Sequence, residues 1–365
     1  MSNHNGFSVQ WLGDIALTAQ FIEPENHEAI RRNVEYLCAS LPPADLRVAN
    51  WEAPLLGAEG INPLKKVTLH TTEEAAGNIQ DLGLDIALVA NNHVFDCMRS
   101  GFEKTISFLD TLGIRCVGAG LSEADAKRPL LLDIHDQPLA VLAYVDADTN
   151  PRIPPDRSLH VNWLDRCRVL NDVRTLREDG RLVLVSFHCG MDFVALPSPR
   201  HRTLARETIE AGAALVMCCH PHRIQAYEPW KDGYIFYGLG NLIAGAIYPW
   251  PSLAEPTVAV TCRIQNGMVS PPDIRHFVFR NGLLGPDRGE RGPKVYRKAN
   301  RKLAGSDEVY ARHFARALAY EVSIIRPIHF LRRHKNPLSL LASFEKRHAV
   351  EYYLQLKRIF AKSDR

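Results

Sequence analysis

The chain lacks most features of a membrane, secreted or fibrous protein. Its 365 residues contain no apolar run near the roughly 18 residues a membrane span needs. The start, Met1-Ser2-Asn3-His4-Asn5-Gly6, has no basic segment and no apolar core, so no signal peptide is expected. There is no heptad run, internal repeat or low-complexity tract. Eight cysteines show no framework spacing, and Cys218 and Cys219 are neighbours, which suits ordinary disulfide geometry poorly. Free thiols in a reducing cytosol, and hence a cytoplasmic location, are expected. No recognisable nucleic-acid module is present, so no specific nucleic-acid partner is expected. What is there is ordinary globular composition, 46% hydrophobic and 23% charged. The length suggests two domains, or one large domain with an extension.

The net charge of +3 conceals an asymmetry. From residue 281 onward there are 19 Lys/Arg against 8 Asp/Glu, a balance of +11, whereas residues 1–280 hold 25 against 33, or −8. The sign changes near the Gly/Pro-rich stretch Gly282–Pro293, which suggests a main domain over 1–280 and a basic, mainly helical extension over 281–365. Its basic side chains allow contact with an anionic polymer or a membrane surface. The plainer reading is a helical extension packed on the core with Lys and Arg in solvent.

The first 280 residues alternate strand-like and helical patterns, which predicts an α/β core. Apolar runs predict strands at Phe7–Leu12, Leu46–Ala49, Leu84–Ala90, Arg115–Val117, Leu130–Ile134, Leu139–Val145, Leu182–Phe187, Ala213–Met217, Tyr234–Tyr237 and Val258–Ile264. Helical spacing predicts Glu25–Ala39, Gly101–Leu112, Asp165–Arg177 and Pro199–Ala211, the last with Ser198 as N-cap and Gly212 just past its end. Leu130–Ile134 and Leu139–Val145, joined by four residues, read as a hairpin, so the sheets should be mixed. Residues 306–361 predict two or three amphipathic helices broken by Pro327 and Pro337.

Five of the apolar runs lead into clusters of Asp, Glu, Asn or His: Gly13-Asp14, Asn50-Trp51-Glu52, Asn91-Asn92-His93 with Asp96, His188-Cys189-Gly190 and His220-Pro221-His222. These residue types are the N/O ligands of divalent transition metals. Because a residue before proline favours extended backbone, His220 and His222 are expected to project to the same side. Each cluster has a plainer alternative: loop histidines, Asn-Asn turn chemistry, a solvated Glu, a Gly-Asp turn or a core histidine. Five such strand ends in one chain shift the balance towards a single metal centre.

The order Gly-Asp, Asn-x-Glu, Asn-Asn-His-x-x-Asp, His-x-Gly, His-Pro-His and Leu-Gly-Asn resembles the CapA (PgsA-like) poly-gamma-glutamate capsule biosynthesis family of the calcineurin-like metallophosphatase superfamily. The resemblance covers roughly residues 7–245, with Val89–Asp96 and Glu210–Asn241 its most specific pieces. It implies a four-layer α/β/β/α sandwich of two mixed sheets. It also implies that Asp14 and His222 bind a first metal, Glu52 bridges two, and Asn92, His188 and His220 complete the second. His93 would be the general acid or would stabilise the leaving oxygen, oriented by Asp96, and Asn241 would shape the substrate rim. The cofactors implied are one or two divalent ions, Mn, Fe or Zn, and the substrate is an anionic small molecule or polymer.

Three departures matter. Dinuclear phosphatases usually carry Asp-x-His in the first motif, whereas here Ala16 stands at that histidine; the CapA family commonly lacks it too. Cys218 and Met98 stand where the family usually has glycine. Proteins of this family are usually membrane-tethered, and no anchor is legible here. Two functions follow: a metal-dependent hydrolase or transferase acting on a phosphoester, or on a glutamyl-type amide or acyl-phosphate, and alternatively a non-catalytic polymer-assembly factor that reuses the fold. Cys218 or Cys219 could add a soft ligand, though a buried apolar cysteine is the plainer reading.

Overall fold

The apolar runs become strands of two β-sheets in a computed structural model that describes residues 6–245 and 255–325. Among these residues, the first sheet has nine strands. Its main path runs Leu283–Pro286, Asp273–Arg280, Glu255–Gln265, Phe7–Ala16, Leu46–Trp51, Ile86–Leu88 and Arg115–Val117. Asn241–Ala244 pairs in parallel with the end of Phe7–Ala16, and Met268–Val269 pairs with Glu255–Gln265. The second sheet runs Tyr227–Trp230, Gly233–Phe236, Ala213–Cys219, Leu182–His188, Gln137–Val145 and Leu130–Ile134. Both sheets are mixed: the first is parallel from Phe7–Ala16 to the Arg115–Val117 edge and antiparallel on its other side, whereas the second has a parallel centre with an antiparallel strand at each edge. The expected hairpin is present, and its turn, His135-Asp136, has φ of 50° and 63°, the left-handed geometry of a tight two-residue connection.

The period-2 alternation of strand side chains builds the layers. Leu139, Val141, Ala143 and Val145 enter the core between the sheets, whereas Ala140, Leu142 and Tyr144 enter a second core on the outer face. The helices Arg166–Glu178 and Pro199–Glu210 cover that outer face with Val169, Val173, Leu204 and Ile209. The helix His27–Ser40 packs Ile30, Val34 and Leu37 against the first sheet. The result is the expected α/β/β/α sandwich. Ser198 caps its helix as expected, its hydroxyl accepting from the His201 N–H, with Pro199 in the first turn.

Beyond residue 280, the strand Leu283–Pro286 completes an edge of the first sheet. The helix Arg291–Leu303 then spans the open side of the sandwich, with Tyr296 in the inter-sheet core and Ala299 and Leu303 in the outer one. The helix Asp307–Tyr320 adds Tyr310, Phe314 and Leu318 to the outer core. Arg202 ties this pair down, bonding Asp307 and the Leu303 carbonyl beneath the Tyr310 ring. The expected helix breaks at Pro327 and Pro337 lie outside the described residues. All eight cysteines are free thiols. Among the described residues no helix is long and apolar enough to cross a membrane.

Candidate metal centre

The parallel strands of both sheets deliver their polar ends to one place. Gly13 and Asp14 do not follow a strand, as the sequence suggested; they lie inside Phe7–Ala16, at register shifts against Leu46–Trp51 and Asn241–Ala244. Such bulges re-aim side chains next to functional sites. Gly13 is required by close approach: a Cβ there would lie 2.1 Å from the Gly240 carbonyl oxygen, the same atom that accepts from the Asp14 N–H. Gly240 itself has φ of 82°, so the Gly-Asp and Gly-Asn motifs form one interlocked pair.

Asn50 donates its amide to Asp14 Oδ1 at 2.8 Å and to Glu52 Oε1 at 3.1 Å, which fixes both carboxylates. Asn91 donates to the Trp51 carbonyl at 2.7 Å and accepts from the His93 N–H at 3.0 Å. Neither amide was assigned such a role from sequence. Asn92 Oδ1 lies 3.0 Å from His188 Nε2, which is itself 3.8 Å from Glu52 Oε1. The His188 and His220 ring centroids are 4.8 Å apart, and those of His220 and His222 are 5.8 Å apart. His222 Nδ1 stands 3.6 Å from Asp14 Oδ2 and 2.9 Å from Asn241 Oδ1. The six expected ligands are therefore brought together. Asn241, expected at a substrate rim, touches a histidine of the cluster.

The route of the histidine pair differs from expectation. His220 has φ of 95° and His222 has φ of 54°, so the segment is not extended. Neighbouring hydrogen bonds, with Phe193 N–H donating to the Pro221 carbonyl and Cys189 N–H to that of Cys219, hold it against the local preference. Non-glycine residues in this region cost of order 1–3 kcal/mol and cluster at functional sites. Met98 has φ of 60°, which explains why a glycine suits that position.

His93 Nδ1 lies 2.6 Å from Asp96 Oδ2, as expected for an oriented imidazole. Sequence reasoning missed the third member, Lys65. Its ammonium, nearly buried, contacts Asp96 Oδ1 at 2.7 Å, the Asn92 carbonyl at 2.8 Å and His93 Nδ1 at 3.0 Å. Nothing in the Leu64-Lys65-Lys66 run marks it. It is placed by Asn62, whose N–H donates to the Asp96 carbonyl. Asp192 was missed as well; its Oδ1 lies 3.2 Å from His220 Nε2.

Burial and mutual charge set the protonation of the polypeptide alone. Burial raises Asp14, opposed by His222 and the bonds from Asn50 and Cys219. Burial, then the Asp14 charge, pushes Glu52 up to about 8. Burial works against a charged His222, but Glu52, Asp14 and Asp192 outweigh it and hold the imidazole up to about 9. Burial lowers His220 to about 3, with His222 and His93 adding to the shift and Asp192 opposing it. Burial and then the neighbouring His220 and His222 carry His188 well below the usual range.

The donor chemistry fits divalent cations. Two groups have ligand atoms all within 4.8 Å of one another: Asp14, Glu52 and His222; and Asp192, His220 and His222. Glu52 Oε2, His188 Nδ1 and His220 Nδ1 are buried without hydrogen-bond partners. Such orphaned atoms are costly unless another charge or donor meets them. A third group, Asp146, Asp148 and His201, is different because Arg200 already pairs with both carboxylates. It reads as a buried ion network. Cys219 bonds Asp14, while Cys218 faces the outer core beside Cys189.

Residues 8–246 match the family described as bacterial capsule synthesis protein PGA_cap. The capsule biosynthesis protein CapA of Bacillus anthracis is 28% identical over 245 residues, covering 65% of this chain and 59% of that protein. The PGA biosynthesis protein CapA of Bacillus subtilis (strain 168) is 25% identical over 250 residues, covering 65% and 63%. The chain thus spans about three-fifths of the length of these curated relatives. Among solved structures, a candidate 5'-nucleotidase of Staphylococcus aureus in complex with alpha-ketoglutarate superposes with a TM-score of 0.51 at 11% identity, over 82% of this chain and 59% of that one. That likeness shows a metallophosphatase-like fold. With the family match spanning the second sheet, five strands of the first and every clustered side chain, the chain belongs to the PGA_cap family of bacterial capsule synthesis proteins.

Proposed function

We propose that this chain is a divalent-cation-dependent hydrolase or transferase that acts in the synthesis of poly-gamma-glutamate or another capsule polymer. Its target would be a phosphoester, or an amide or acyl-phosphate of glutamyl type. The observation that supports this most is the convergence of Asp14, Glu52, Asn92, His188, His220 and His222 from both sheets around buried, unpartnered donor atoms. Asp14, Glu52 and His222 would hold one cation, and Glu52, Asn92, His188 and His220 a second; mixed N/O donors suit Mn, Fe or Zn. When bound, the cations supply Lewis acidity and lower the pKa of an attacking water.

The remaining chemistry belongs to side chains. Asp96 Oδ2 takes the His93 Nδ1 proton in its hydrogen bond, so proton exchange with substrate passes through Nε2 on the opposite edge of the ring. Burial and then the Lys65 charge lower His93, which keeps it neutral near pH 7. Neutral His93 would therefore accept at Nε2 a proton from the attacking water and, as the imidazolium so formed, return it to the leaving atom. This refines the general-acid role implied by the family resemblance. Lys65 and the Leu69 N–H lock Asp96, so the dyad cannot swing. Asn241 orients His222. The basic extension from residue 281 would contact an anionic polymer or a membrane surface.

Ala16, at the position of a phosphatase ligand, favours a second reading in which the fold binds polymer without turnover. A substrate panel of phosphomonoester, phosphodiester and glutamyl-peptide compounds with Mn, Zn or Fe separates the two. Turnover that disappears in His93→Ala, with metal retained, supports catalysis. A metal-loaded wild type inert on every compound contradicts it.

A further inference from the structure

We infer that Asp192 is a cation ligand, completing the donor set with His220 and His222 as a third carboxylate beside Asp14 and Glu52. This rests on reading the site as a cation centre, but Asp192 belongs to none of the motifs that led to it.

Four observations carry the inference. Asp192 Oδ1 is 3.2 Å from His220 Nε2, the spacing of two donors on one ion, and its donor lies within 4.8 Å of those of both His220 and His222. Glu52 is wholly buried and keeps Oε2 unpartnered. Uncompensated donors at this depth call for a cation. The chain also holds Asp192 in place at a cost. The next residue, Phe193, has φ of 62°, rare for a bulky side chain. That conformation is pinned to the histidine segment by three contacts. The Phe193 N–H donates to the Pro221 carbonyl at 2.9 Å, Arg223 donates to the Phe193 carbonyl at 2.8 Å, and the Phe193 and His222 rings lie 5.8 Å apart. Finally, Asp192 would add a hard carboxylate oxygen to a group otherwise made of two imidazoles. The set then holds three carboxylates and an amide oxygen against three imidazoles, which tilts it towards Mn(II) or Fe(II).

The test is titration of metal-stripped full-length protein with Mn(II), read by calorimetry and by the Mn(II) electron paramagnetic resonance signal, for wild type, Asp192→Asn and Asp192→Glu. Asparagine keeps the size and can still accept from His220, so a role confined to orienting that ring would leave Mn(II) binding within about twofold. A ligand role predicts loss of one equivalent, or at least tenfold weaker binding of it, with partial recovery in Asp192→Glu and a changed resonance spectrum. Wild-type stoichiometry and affinity in Asp192→Asn would overturn the inference while leaving the metal centre intact. Absence of Mn(II) binding in the wild type would overturn both.

Discussion

Metal binding at the Asp14–Glu52–His222 group should expel protons. In the polypeptide alone, Glu52 titrates at about 8 and His222 at about 9. The two are coupled, since the Glu52 charge is part of what raises His222, so the pair holds at least one proton at pH 7 that must leave before both can serve as ligands. Taking that proton from a group held up to about 9 costs two pH units at pH 7, about 3 kcal/mol, or roughly a hundredfold in apparent affinity. At least one proton should leave per cation bound there. Apparent affinity should rise roughly tenfold between pH 7 and pH 8 and flatten above about 9 as the pair empties. Calorimetry with Mn(II) in two buffers of different ionisation enthalpy counts the protons directly. Release of less than half a proton at pH 7, or affinity that does not change from pH 6.5 to 8, would refute the electrostatic account of the cluster.

Other outcomes follow from the same residues. The folded pKa of His222 and of Glu52 lies above the unfolded value, so the stability they contribute is full below the unfolded pKa and is lost as pH rises through 8 to 9; the metal-free protein should melt lower at pH 9 than at pH 7, and added Mn(II) should close the gap. His93→Ala and Asp96→Asn should each lower turnover by about 10²–10⁴ with bound metal unchanged, measured by steady-state kinetics beside elemental analysis. Gly13→Ala forces a Cβ against the Gly240 carbonyl and should cost about 1–3 kcal/mol in chemical denaturation while weakening metal binding through Asp14. Met98→Gly relieves a left-handed methionine and should raise stability by about 1 kcal/mol, seen as a higher melting temperature.

The central strands were legible because strands buried on both faces read as apolar runs: Leu182–His188 is buried at every position. Their ends were less legible. Gly13-Asp14 looked like a turn because its bulge depends on Gly240, more than 200 residues away. Asp273–Arg280 was not read as a strand because all but one of its side chains are half-exposed or exposed and give no apolar run. Of the expected ligands, Glu52, Asn92 and His188 sit on or close past strands whose patterns announce them. His220 and His222 reached their places through left-handed backbone that no local rule favours. Lys65 and Asp192 lie in irregular segments, fixed by hydrogen bonds to distant carbonyls, so neither spacing nor periodicity marks them.

The central claim is that these strand ends form a cation centre. Its most direct test is the metal content of untagged protein, wild type beside Glu52→Ala and His220→Ala, by elemental mass spectrometry with circular dichroism to confirm folding. The account predicts at least one tightly held Mn, Fe or Zn in the wild type and loss of tight binding in both folded variants. A wild type that holds no cation, or full retention of metal in both variants, would contradict it.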